Sequence, residues 1–208
     1  MASGAGWAWV RDDVHVVHVA GHRGPRGPLT AIVDRVPLLA PGDRVRLDTG
    51  ETVIWRTPAP PGSAPDDAVA AACDAVRPYM WNDPRAMLLG AEPIGEVARE
   101  LAGRGPGLTP AGDDALAGFV YTRVATGLGD TEAAQDAAEM AASMTGDPSA
   151  SLLRAAARGE VFAPAAQMLG VLLRADGAAL APALRNLTAL GRTTGRALLT
   201  GIVRALSQ

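Results

Sequence analysis

Apolar and polar residues follow two different spacings along the chain, and the spacing changes once. Between Trp7 and Arg56 the apolar runs are short and are broken by glycine and proline, which is typical of β-strands. The clearest runs are Val14 to Val19, Leu29 to Val36, Arg44 to Asp48 and Glu51 to Trp55. Since no helical pattern separates these runs, they predict a small antiparallel sheet or an open barrel.

A proline-rich segment, Pro58 to Pro65, interrupts this pattern and marks the clearest boundary in the chain. Beyond it, apolar residues recur at helical spacing. Asp66 or Asp67 is expected to cap a first helix that runs to about Val76, and further helices are expected to begin at Thr131, at Asp147 or Ser149, at Pro164 and at Gly177. The sequence therefore predicts an α+β protein in which an N-terminal β-rich domain (1–57) and a proline-rich linker (58–65) precede a larger all-α domain (66–208).

The residue counts narrow the classes of function. The net charge of −3 lacks the basic excess that a general nucleic-acid binder needs. All 19 basic residues are arginine, so no lysine is present for a Schiff base, for covalently held pyridoxal phosphate or for a P-loop. The first thirteen residues show no signal-peptide pattern, and no apolar run reaches the length of a membrane span. We therefore expect a cytoplasmic protein that binds neither nucleic acid nor membrane.

Four isolated residues attract attention without predicting a site. Cys73 lies in an alanine-rich stretch and is expected to be a small buried group. Trp81 is expected to fill the core rather than to form a ligand platform. His15 and His18 are three residues apart on a predicted strand and so point to opposite faces, which argues against a shared metal ion.

A glycine-rich loop, residues 103–112, leads directly into an amphipathic helix. In it, Thr109-Pro110 fits an N-cap and first helical residue, and Asp113 and Asp114 lie in the opening turn. The functional interpretation is a substrate loop whose glycine-exposed N–H groups and Arg104 hold an anion. The two carboxylates would then anchor the loop, accept from a substrate N–H or bind one divalent cation; no other cofactor is predicted. The alternative is a well-capped helix with no ligand.

A weak repeat of this pattern occurs near the C-terminus. The segment Gly112 to Gly118 aligns with Gly195 to Gly201, and each follows a threonine-containing turn. The shared glycine spacing is consistent with small residues at a helix crossing. It is equally consistent with a second anion site at a helix start, formed by Arg192, Thr193, Thr194 and Arg196 and paired with the first in one cleft.

The loop sequence Gly105-Pro106-Gly107-Leu108-Thr109-Pro110-Ala111-Gly112-Asp113-Asp114 resembles the signature of the AllH-like family, which is associated with a subunit of oxamate carbamoyltransferase. Gly191-Arg192-Thr193-Thr194-Gly195 is similar to that family's closing turn. Arg196 and Ala197 then follow where the family often has an aspartate, and the chain is compact for the family.

The resemblance implies carbamoyl transfer between carbamoyl phosphate and oxamate, giving oxalurate and phosphate, within a multi-subunit complex or a homo-oligomer. The alternatives are a paralogous small-molecule enzyme of specialised metabolism and a non-catalytic assembly subunit. Asp113 and Asp114 are the expected catalytic residues. The expected contacts to a small anionic substrate are Arg104, Gly105, Gly107, Leu108, Thr109, Gly112, Arg192, Thr193, Thr194, Gly195 and Arg196.

Overall fold

A computed structural model describes residues 3–4, 7–11, 16–21, 30–33 and 56–207 of the chain. The N-terminal part contains four short strands: β1 (Ser3–Gly4), β2 (Trp7–Arg11), β3 (Val16–Gly21) and β4 (Thr30–Val33). They form one sheet in sequence order, in which β1 pairs with β2 and β2 with β3 in antiparallel fashion. The last pair, β3 and β4, is parallel, with His18 opposite Thr30. Val19 of β3 is buried, and this strand lies beside the helix at Asp147–Ala156.

The predicted fold class is wrong. Residues 56–207 are 65% helical, and the part of the chain that the structure describes contains neither a purely antiparallel sheet nor a barrel. The physical reason is that the apolar pattern of a strand carries no information about the direction of its neighbour. The expected strands at Arg44 to Asp48 and Glu51 to Trp55 lie outside the described residues. The division into domains at residues 57 and 66 stays a prediction.

Helices make up most of the described chain after residue 65, as the apolar spacing indicated. They are α1 (Asp66–Val76), α2 (Ile94–Leu101), α3 (Ala111–Thr126), α4 (Thr131–Ala142), α5 (Asp147–Ala156), α6 (Ala163–Leu173), α7 (Gly177–Thr188) and α8 (Thr194–Leu206), with short 3-10 turns at Arg77–Tyr79 and Ala86–Leu88. None of the described helices is both long and apolar enough to cross a membrane.

Local chemistry explains several of the helix starts. The carboxylates of Asp130 and Asp176 accept hydrogen bonds from Ala133 N at 2.9 Å and Ala179 N at 3.1 Å, which caps α4 and α7. The proline-rich segment is held against the helices, because Ala64 N donates to Leu173 O at 2.6 Å.

Helix α3 is the centre of the helical assembly, since every residue from Ala111 to Arg123 is buried. A helix that is covered on all sides needs small or apolar side chains around its whole circumference, and α3 consists mainly of such residues. Helices α2, α4, α5 and α8 pack around it, and α8 makes the most extensive contact.

Glycines allow α3 and α8 to approach until their backbones touch. A Cβ on Gly118 would overlap the carbonyl oxygen of Leu198, and a Cβ on Gly201 would overlap that of Ala115. The helix-crossing interpretation of the repeated glycine spacing therefore fits Gly118 and Gly201. This close crossing also brings the first turns of the two helices together, which positions the site.

Candidate functional site

Residues 102–110 form a tight loop between α2 and α3, and three of its glycines have left-handed backbone angles. The φ values are +69° at Gly103, +99° at Gly105 and +120° at Gly107. A Cβ on Gly107 would lie 2.5 Å from Thr109 O, so a side chain at this position is excluded. The path of the loop thus depends on glycine at position 107, whose backbone N–H the sequence predicted as a donor to an anion.

Carbonyl groups of this loop satisfy the first N–H groups of α3. Ala111 N donates to Pro106 O at 3.2 Å, and Gly112 N donates to Arg104 O at 2.8 Å. Pro110 occupies the N-cap position, so α3 begins one residue later than predicted and Thr109 does not cap it. Gly112 is buried against Leu101 O, where a Cβ would overlap, and its expected contact with substrate is not available in this conformation.

Asp113 is a structural anchor for the loop. It is fully buried. Its Oδ1 accepts from Gly103 N at 2.8 Å, and its Oδ2 accepts from the hydroxyl of Thr145 at 2.6 Å. Both oxygens are therefore occupied by protein donors, one at the start of the loop and one just after α4.

Asp114, although adjacent to Asp113, has a different environment. It is also fully buried, and its Oδ2 accepts from the Thr109 hydroxyl at 3.1 Å. Its Oδ1 is buried and has no hydrogen-bond partner among the described residues. Burial raises the pKa of Asp114 most, hydrogen bonds from the hydroxyls of Thr194 and Thr109 lower it, and the charge of Asp113 raises it, which together give a pKa of about 8. Asp114 therefore favours the neutral acid at pH 7.

The starts of α3 and α8 meet at these threonines. The hydroxyl oxygens of Thr109 and Thr194 are 3.4 Å apart, and the Thr193 hydroxyl donates to Pro106 O at 3.3 Å. Two residues that are 85 positions apart in sequence thus share one cluster with the buried carboxyl of Asp114. The sequence predicted both helix starts as candidate sites, and the structure brings them together.

Several backbone N–H groups around this cluster have no acceptor in the part of the chain that the structure describes. In the loop they belong to Gly105, Gly107, Leu108 and Thr109, and in the first turn of α8 they belong to Thr194 and Arg196. Residues 105–108 are exposed, and Thr109 and Thr194 are half-buried. These donors therefore belong to exposed or half-buried residues beside the two helix starts.

A family model for the oxamate carbamoyltransferase subunit AllH matches residues 101–206. The match begins at the end of α2 and covers the loop, α3 and all following helices. The chain belongs to the AllH family. No curated protein and no solved structure matches the chain. The family assigns this chain to a group of transferase subunits, and the matched region contains every predicted site residue.

The predicted arginines of this AllH-family chain lie around the cluster rather than inside it. The side chains of Arg104, Arg192 and Arg196 are exposed. Arg196 is partly engaged, because its Nε donates to Tyr79 O at 3.0 Å. Gly195 is buried at the start of α8, where a Cβ would overlap Leu187 O, so it permits helix packing rather than contacting solvent.

The described residues contain no group of three or more histidine, cysteine, aspartate or glutamate side chains that could hold a metal ion. Asp113 and Asp114 do not present a pair of free carboxylates to one cation, because Asp113 uses both oxygens within the protein. His15 lies outside the described residues.

Sequence reasoning did not identify two residues that support the site. Thr145 is 32 positions from its partner Asp113, and no local pattern connects them. The backbone of Trp81 is bonded in both directions to the Thr200 hydroxyl, and its ring lies 3.4 Å from the place of a Cβ on Gly105. Trp81 thus packs against the core, as expected, and also lies under the loop.

The expectation for Cys73 is confirmed. The side chain is 1% exposed, and burial raises the pKa of its thiol to about 11. It is a small apolar group of α1 rather than a nucleophile.

Proposed function

We propose that the chain is a carbamoyltransferase subunit that binds a small anionic carbamoyl or carboxylate substrate where α3 and α8 begin. Membership of the AllH family favours the reaction of carbamoyl phosphate with oxamate to give oxalurate and phosphate. The observation that carries the proposal is the set of uncommitted N–H groups in the described loop and in the first turn of α8, on either side of two threonine hydroxyls.

The reaction requires positioning more than covalent participation by the protein. The amide nitrogen of oxamate attacks the carbamoyl carbon, the bond from that carbon to the phosphate oxygen breaks, and the nitrogen loses one proton. The protein's task is to hold anionic oxygens and to stabilise the charge that develops on them. Backbone N–H groups and hydroxyls, with arginines at the rim, supply this without lysine.

The roles differ among the predicted residues. Gly105, Gly107, Leu108 and Thr109 provide backbone donors, while Arg104 and Arg192 add positive charge at the solvent side. Asp114 accepts a hydrogen bond from the Thr109 hydroxyl and so orients it. Asp113 keeps the loop in place rather than touching substrate, since both of its oxygens are bonded to Gly103 and Thr145.

One observation favours the alternative of a non-catalytic assembly subunit. Leu108, in the middle of the loop, is 54% exposed, and Met144, whose carbonyl lies beside Gly103, is 50% exposed. Contiguous exposed apolar patches mark surfaces that meet another chain, and in an assembly role these two residues would contribute to such a patch. In this alternative the loop contacts a partner subunit instead of a substrate.

Thermal denaturation with carbamoyl phosphate, phosphate, oxamate and oxalurate distinguishes the substrate-binding subunit from the non-catalytic assembly subunit. We expect at least one of these anions to stabilise the protein, and Gly107→Ala to abolish that stabilisation because it disrupts the loop. Gly146→Ala is the matched control, since a Cβ there meets nothing within 4 Å. If none of the anions stabilises the folded protein while it still co-purifies with a partner chain, the substrate site is refuted and the assembly role is favoured.

A further inference from the structure

The carboxyl of Asp114 and the hydroxyls of Thr109 and Thr194 form a continuous chain of oxygen atoms, which joins a fully buried group to two half-buried ones, and both hydroxyls act on the carboxyl. The distances are 3.1 Å from Asp114 Oδ2 to the Thr109 hydroxyl and 3.4 Å from there to the Thr194 hydroxyl. Asp114 has no exposed surface, whereas both threonines are half-buried. The protonation state of the Asp114 carboxyl therefore affects the direction in which the Thr109 and Thr194 hydroxyls donate.

Two arrangements of hydrogen atoms are compatible with these oxygen positions, because a hydroxyl can rotate to donate in either direction. When Asp114 is ionised it can only accept, and the Thr109 hydroxyl must point inward. When Asp114 is protonated it donates to Thr109, and the Thr109 hydroxyl is free to donate outward. The outward arrangement adds a donor to the N–H groups of the loop and α8, and it removes a negative charge from behind them.

We propose that this hydrogen-bond chain makes the site a proton-linked receptor for a small oxyanion, binding a carboxylate or phosphate oxygen when Asp114 carries a proton and releasing it when the proton is lost. The inference rests on the proposed function in placing the substrate anion where α3 and α8 begin. The unpartnered, fully buried Oδ1 supports it, since an ionised oxygen without a donor is far more costly to bury than a neutral one.

Burial, and secondarily one neighbouring charge, favour the neutral form of Asp114 at rest. Asp113, on the same helix, is the charged group that acts on Asp114, and burial together with its charge raises the pKa of Asp114. Arg104 of the loop and Arg196 of α8 extend into solvent, and Arg204 of α8 donates to Leu89 O. The charged side chains on the other helices that pack against α3 are all exposed: Glu96, Arg99, Glu100, Glu132, Asp136, Glu139, Asp147 and Arg154.

Calorimetric titration of the intact chain with oxamate and with sulfate tests the proposal, because neither anion changes its own charge near neutral pH. We expect the dissociation constant to be about tenfold higher at about pH 9 than at about pH 6.5, since Asp114 ionises in that interval. For the wild-type protein, but not for Asp114→Asn, the binding enthalpy at the higher pH should depend on the ionisation enthalpy of the buffer. This dependence reports that the protein takes up a proton when the anion binds.

Asp114→Asn provides the variant test. Asparagine can donate to Thr109 but cannot ionise, so we expect binding that is independent of pH, with no proton uptake. Asp136→Asn, at an exposed carboxylate of α4, should keep the wild-type pH dependence. Thr109→Val, which removes the connecting hydroxyl, should weaken binding at both pH values.

The outcomes separate this inference from the proposed function. Proton-linked binding of sulfate or oxamate without any effect of carbamoyl phosphate supports the inference and counts against the transferase. Binding of carbamoyl phosphate or oxamate with no proton uptake, or with equal pH dependence in Asp114→Asn, overturns the inference and leaves the transferase standing. If neither oxamate nor sulfate binds to the wild-type protein, the oxyanion receptor is refuted.

Discussion

Replacing Asp114 by asparagine should make the protein progressively more stable than wild type as the pH rises. In the folded chain the pKa of Asp114 is raised from 3.8 to about 8, so the folded state retains a proton that the unfolded state loses. A raised folded pKa gives stability that is present in full below the unfolded pKa and is lost as the pH rises through the folded pKa. Asparagine does not ionise, so Asp114→Asn does not lose this stability as the pH rises.

The magnitude follows from the same pKa values. Each pH unit between the unfolded and the folded pKa corresponds to about 1.4 kcal/mol. From about pH 5 to about pH 8, the stability of wild type relative to Asp114→Asn should therefore fall by about 4 kcal/mol. For a chain of this size such a change shifts the melting temperature by about 10 °C.

Urea denaturation of both proteins, followed by circular dichroism at several pH values, measures this difference. Taking the difference between the two proteins cancels every other titrating group, and Asp136→Asn controls for the loss of one negative charge. Parallel stability curves for wild type and Asp114→Asn between pH 5 and 8 would show that Asp114 is ionised in the folded state and would refute the reasoning.

Three further predictions concern packing and backbone geometry, and chemical denaturation checks each of them. Gly118→Ala should destabilise the protein by about 3 kcal/mol, because its methyl group would overlap a carbonyl of α8. Gly95→Ala, where a Cβ meets nothing within 4 Å, is the control and should be neutral or slightly stabilising. Equal changes in stability for the two variants would refute the close crossing of α3 and α8. Asp113→Ala should cost about 1–3 kcal/mol, since it leaves the Gly103 N–H and the half-buried Thr145 hydroxyl without their acceptor; a loss below about 0.5 kcal/mol would contradict its role as the loop anchor. Ala175→Gly should stabilise by about 0.5–1 kcal/mol, because φ is 48° at this non-glycine residue, and no gain would mean that the turn is unstrained.

The helices were largely predictable because their signals are local. α4 and α7 begin at the predicted residues, α5 begins at Asp147, one of its two predicted starts, and α6 begins one residue earlier than predicted, at Ala163. α1 begins at Asp66, which the sequence offered as a cap, while Pro65 takes the cap position. The start of α3 was misplaced by one residue, since Pro110 takes the cap position and Thr109 turns toward Asp114. The sheet failed for the opposite reason, because the parallel pairing of β3 with β4 depends on which strand meets which in space.

Some features of the candidate site could likewise be predicted from local sequence, and others could not. The loop could be found from its glycines and from the resemblance to the AllH family, and the family match confirms that resemblance. The different roles of Asp113 and Asp114 could not be found, since the two residues are neighbours with the same side chain. Their different partners distinguish them: Gly103 and Thr145 donate to Asp113, whereas Thr109 donates to Asp114 and Thr194 acts on it.

By itself, the sequence indicated most of the helix starts to within about one residue, showed which loop depends on glycine, and excluded lysine from any anion site. These properties depend on the residue types and on neighbours within a few positions. Tertiary structure alone decided that α3 and α8 cross at Gly118 and Gly201, and that this crossing buries a carboxyl where the two helices begin. The physical reason is that desolvation, which gives Asp114 its raised pKa, depends on every group packed around it, and those groups come from distant parts of the chain.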